Sequence, residues 1–189
     1  MNDDERNEIF KEELKTIEYL LEKCNIAMEQ IKQGNIEDFK ETVDALYLES
    51  VDTISQTVLS FTKIIIIHLF KLKYGWVEDS YDSLRKEIRE HRNNIQDLTD
   101  WDLDKKKKNV LDKVYPKIEI TYRRAKANFQ GILDDPKESK YYRIKTTSGF
   151  PSDCPWTLEQ LIDYPIERLL EIWDNWINMR LDRDLIPLS

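Results

Sequence analysis

Residues 54–72 read ISQTVLSFTKIIIIHLFKL, the most apolar stretch of the chain. Ile54, Val58, Phe61, Ile65, His68 and Leu72 recur at alternating steps of four and three, which places them on one face of a helix. Leu59, Ile66, Ile67 and Phe70 fall on its other faces. A helix that is apolar all round is buried all round. Isoleucine loses side-chain freedom in a helix, so tertiary burial rather than propensity must hold residues 64–67 helical. A buried strand is the competing reading of the four-isoleucine run. Lys71, Lys73 and the helical stripe favour the helix. This second helical region is predicted from about residue 36 to residue 74, with a break near Ser50.

Outward from that centre, the chain continues in helical periods. Only 4 Gly and 6 Pro punctuate 189 residues, which argues for long helices and few turns. Residues 5–33 form the first predicted helix. Its apolar seam is Phe10, Leu14, Ile17, Leu21, Cys24, Met28 and Ile31, widened by Ile9, Leu20 and Ala27. The widening predicts packing into a bundle rather than a two-stranded coiled coil. Gly34 is the predicted C′ residue, and Asn35 caps the next helix with Asp38 three residues on. A third helix spans residues 81–98, with Leu84, Ile88, His91, Ile95 and Leu98 facing inward beside a basic row of Arg85, Arg89 and Arg92. An acidic linker, 99–104, leads to a fourth helix over 105–133. Its inward residues are Val110, Leu111, Val114, Ile118, Tyr122, Ala125 and Phe129, and Pro116 should kink or restart it. Residues 134–155 lack helical periodicity. Residues 141–147 could form a short strand, but no pairing partner is evident. Thr157 and Pro165 begin two further helices, and a loosely docked tail follows from Leu181.

The expected fold is therefore all-α, a single bundle of about five to seven helices over residues 1–189. The expected arrangement has a central buried helix and a long loop before the C-terminal helices. No segment offers the roughly 18 consecutive apolar residues of a spanning helix, and acids run through the first thirty residues, so neither a membrane span nor a signal peptide is expected. Two cysteines far apart, Cys24 and Cys154, fit a reducing cytoplasmic setting. The glycines are isolated, which excludes a phosphate-binding loop. No cofactor and no metal are expected.

Several motifs carry chemical suggestions. His68 and His91 both sit on apolar stripes. In a hairpin turning near residues 75–79 they would lie roughly 7 Å apart along the helix axis, which disfavours a shared metal. Arg85 and His91 form Arg-x5-His, similar to the short motif of HEPN-type ribonucleases. There the arginine would stabilise phosphate charge and the histidine would move a proton. On a regular helix their side chains diverge by about 120°. The acids at 100, 102 and 104 open like a calcium loop, but Lys105 and Leu111 stand where Gly and Glu are needed, so they read instead as helix-capping acids. Cys154 has no neighbouring Cys or His and reads as a buried structural residue.

The chain is acidic, with 29 basic and 37 acidic side chains and a net charge of −8. Residues 105–126 reverse that balance. Lys106, Lys113, Lys117 and Arg124 recur at steps of seven, four and seven, one stripe of a helix. A solvated outer face is the plain reading. The functional one is a binding stripe for an acidic protein or a nucleic-acid backbone. A homodimer through Met28, Ile31 and their neighbours is the other expected association. The leading functional expectation is a non-catalytic interaction protein, with RNA cleavage by Arg85 and His91 as the alternative.

Five short stretches resemble the domain of unknown function 29 family. They are Gln33-Gly34 with residues 36–39, the segment His68 to Tyr74, the pair Ser83-Leu84-Arg85 and Ile88 to Arg92, the helix around Tyr122 and Ala125, and Phe150 to Leu161. Order and spacing agree over about residues 15–163. The last stretch, Phe150-Pro151-Ser152-Asp153-Cys154-Pro155-Trp156-Thr157, is the most specific. Where the family has a paired acid and a Leu-Gly in its second helix, this chain reads Val43-Asp44-Ala45 and Leu48-Glu49-Ser50. Leu84 stands where the family favours Trp. The resemblance implies an all-helical bacterial cytoplasmic protein, often cyanobacterial, and it implies no activity or catalytic residue.

Overall fold

The computed structural model describes residues 19–75, 80–99 and 104–184, with the side chains of residues 104–106 and 179–184 outside that description. The described chain is all-α. Helix α1 covers 19–32 of the longer helix expected from residue 5. It is followed by α2 (Ile36–Tyr74), α3 (Tyr81–Thr99), α4 (Asp104–Val114), α5 (Ile118–Asp134), α6 (Leu158–Asp163) and α7 (Ile166–Asp184). Packing divides between Thr53 and Ile54 into two compact units, and α2 is one uninterrupted helix through that division.

In the first unit, α1 ends in a Schellman turn. Gly34 takes φ +72°, its N–H donates to Ile31 O at 3.0 Å, and the Asn35 N–H donates to Gln30 O at 2.8 Å. Asn35 also bonds Asp38 through its side chain, as the capping reading requires. The helix turns its Lys23–Ala27–Gln30 face inward: Ala27 is buried, and the Thr42 hydroxyl donates to Gln30 Oε1 at 2.9 Å.

Helix α2 has 39 residues, about 58 Å at a rise of about 1.5 Å each. The expected break near Ser50 is absent, because the Ser50 hydroxyl turns back onto Tyr47 O (2.7 Å) without interrupting the helix. Within the second unit its residues Ile65, Ile66, His68, Leu69 and Phe70 are all buried, as a central helix must be. By length and composition α2 could cross a membrane, and half of its most apolar window is buried inside the protein.

The expected fourth helix restarts at Pro116. Proline supplies no N–H and its ring clashes with the carbonyl four residues back, so Tyr115–Lys117 tighten into a 3-10 turn between α4 and α5. Of the expected inward residues, Val110, Val114, Ile118, Tyr122, Ala125 and Phe129 are nonetheless buried, and Leu111 is half-buried. The partner that the 141–147 segment lacked in sequence is the end of α2. Tyr142 makes an isolated antiparallel bridge with Gly75, and the Arg143 N–H donates to Tyr74 O at 2.8 Å. A Cβ at Gly75 would stand 2.7 Å from Lys71 O, so the close of α2 at this position takes glycine. Thr157 and Gln160 form the capping box of α6. The expected tail is corrected in part: α7 continues through Asp184, and the remaining residues lie outside the description.

Candidate functional site

The basic stripe is divided by the turn at Pro116. The Lys106 side chain lies outside the described residues, and Lys113 is half-buried on α4. Lys117 and Arg124 do share a surface. They stand seven residues apart, about 10 Å along the α5 direction, and both line a groove of about 740 Å3. The opposite wall is α2, which contributes Gln56, Thr57, Ser60 and Lys63. Three cations therefore surround one groove, and among the described residues no carboxylate lines it. Among the described residues, no ion pair engages Lys63, Lys117 or Arg124. Lys63 was missed in the sequence because it reads as a bracket to the isoleucine run. Its membership follows from α2 packing beside α5, which no periodicity in α5 can reveal.

Arg85 and His91 are directed to different neighbours. Arg85 Nη1 lies 2.6 Å from Glu167 Oε1 on α7. The half-buried His91 ring packs between Phe61, at 5.2 Å between centroids, and His68, at 6.2 Å. The two histidines stack within 13°, closer company than the layer estimate suggested. His68 is 8 % exposed, and its Nε2 donates to Glu87 Oε2 at 3.1 Å. Burial depresses its pKa to about 4, a shift that Glu87 opposes and that Lys71 and His91 reinforce. His68 is therefore neutral at pH 7, and the Nδ1 atoms of both histidines are buried without a partner. Among the described residues, no group of three or more His, Cys, Asp or Glu is placed to hold a metal.

The loop that carries the most specific sequence motif is held by α5. Glu119 Oε2 accepts from Cys154 N at 2.8 Å, the Tyr122 hydroxyl donates to Pro151 O at 3.0 Å, and Lys126 Nζ reaches Phe150 O at 3.3 Å. Gln130 Oε1 accepts from the Thr147 N–H at 2.7 Å. These four side chains recur at steps of three, four and four, one stripe of α5. Beneath them Phe150, Trp156 and Trp173 join Phe70 in an aromatic core, with Phe150 4.9 Å from both Phe70 and Trp173. Trp156 Nε1 donates to Leu169 O at 2.9 Å, which ties the loop to α7. Cys154 is part of this anchor. Its thiol donates to Trp156 O, and burial pushes its pKa up to about 12, so little thiolate forms at neutral pH.

The family model described as "Domain of unknown function DUF29" matches residues 26–165, from within α1 to the residue before α7. The chain belongs to the DUF29 family. No curated protein and no solved structure matches it. In this DUF29 chain, the motif from Phe150 to Leu161 is a packing device. Its conspicuous residues are engaged in the loop anchor and the aromatic core.

Proposed function

We propose that this protein is a non-catalytic interaction module that holds an acidic protein segment in the groove between α2 and α5. The observation that carries this reading is the convergence of Lys63, Lys117 and Arg124 on one groove that no carboxylate among the described residues lines. In a chain of net charge −8, three cations converging on one groove make a local reversal of sign that suits an anionic segment. Gln56, Thr57 and Ser60 add hydrogen-bonding side chains to one wall. Two turns of helix offer room for a few carboxylates. A polynucleotide needs a longer cationic track than these two turns supply. The non-catalytic part of the reading is supported by the commitments of the chemically suggestive residues: Arg85 to Glu167, Cys154 to its loop, and His68 to the interior. Two free thiols, one of them exposed, support a cytoplasmic setting.

A fluorescent poly-glutamate peptide titrated at low salt tests the reading by anisotropy. Binding should weaken at least about tenfold in Lys63→Glu/Lys117→Glu/Arg124→Glu, and should fall with added salt in the native protein. Equal affinity for both proteins, or no binding by the native one, would refute it. A single-stranded oligonucleotide that bound more tightly than the peptide would assign the groove to nucleic acid instead.

A further inference from the structure

The first unit leaves its own seam uncovered. Helix α1 meets the first turns of α2 through Ala27 and Gln30, yet the heptad positions of the expected seam lie outside that contact. Leu21 is 59 % exposed, Met28 53 % and Ile31 56 %, and Cys24 is exposed beside them. These are the positions at which the sequence reading placed bundle packing. The structure instead presents them as a free stripe with the 3.5-residue period of a coiled coil.

We infer that this stripe is the contact with a second copy of the same chain. The alternating steps of three and four continue in sequence through Phe10, Leu14 and Ile17. From Phe10 to Ile31 the seam therefore covers three heptads, the length at which such a pattern specifies helix pairing. Residues 1–18 contain neither Gly nor Pro, and their apolar positions lie in register with the seam. Their sequence continues the heptad repeat and holds neither of the residues that usually mark a turn. A helix with a heptad seam is best covered by another with the same repeat, which a second copy supplies at equal concentration. Charge permits the approach. The chain as a whole is strongly acidic, but from Phe10 to Lys32 five glutamates stand against four lysines. Two such helices therefore meet with little net repulsion, and an oppositely charged partner gains little there. This surface belongs to the first unit and does not rest on the groove.

Sedimentation velocity of the full chain over a micromolar concentration series tests the inference. The native protein should sediment as a dimer. Met28→Glu/Ile31→Glu should weaken self-association at least about tenfold with unchanged far-UV circular dichroism, because both positions are exposed in the single chain. Leu21→Lys, at a different turn, is the second variant and should do the same. A monomeric native protein would overturn the inference. So would a dimer that survives Met28→Glu/Ile31→Glu and Leu21→Lys.

Discussion

At the scale of single residues, His68 sets an expected pH dependence. Its folded pKa, about 4, lies below the ordinary value of 6.5 because burial disfavours the cation. Between those values the unfolded chain binds the proton and the folded chain does not. Stability from this group is therefore complete above pH 6.5 and is lost as the pH falls towards 4, by at most about 3 kcal/mol. His68→Gln keeps a hydrogen bond to Glu87 and removes the titration. Thermal denaturation from pH 7 to pH 4 should show a shallower loss of Tm in His68→Gln than in the native protein. Parallel curves would mean that His68 does not govern this window. The buried position of His68 was legible from the helical stripe. Its stacking on His91 was not, because helix spacing fixes axial layers but not the lateral reach of long side chains.

At the scale of elements, α5 does two jobs with two faces. One buries Tyr122, Ala125 and Phe129 in the core, and the polar stripe of Glu119, Tyr122, Lys126 and Gln130 fastens the 147–154 loop. Tyr122 serves both, with its ring in the core and its hydroxyl on Pro151 O. Removing the hydroxyl alone leaves Lys126 within 3.5 Å of that carbonyl. Tyr122→Phe should therefore cost only about 1 kcal/mol, and Tyr122→Ala about 3–5 kcal/mol by opening a cavity. Urea denaturation of the two variants checks this, and equal losses would show that the loop bond, not the ring, dominates. The restart at Pro116 could be read in advance because proline chemistry is local. The loop anchors could not, since an i, i+3, i+7 stripe of polar residues looks the same whether it faces water or backbone. The pairing of Tyr142 with Gly75 was invisible for a related reason: its partner is the end of a helix and not a strand.

At the scale of the whole molecule, the all-α character, the buried central helix and the order of helices follow from periodicity and from the scarcity of glycine and proline. Two things did not follow. The heptad of α1 was expected inside a bundle, and the structure exposes it, because periodicity shows that a face wants cover but not which molecule covers it. The groove needed α2 and α5 side by side, which the sequence does not state. Of the expected stripe residues with described side chains, Lys117 and Arg124 line it and Lys113 does not, and the unanticipated Lys63 joins them. Amide hydrogen exchange of the full chain, with and without the poly-glutamate peptide, tests the docking claim most directly. Protection should rise in residues 56–63 of α2 and 117–124 of α5 and be absent from Lys63→Glu/Lys117→Glu/Arg124→Glu, whereas protection confined to other segments, or none, would contradict the assignment of the groove.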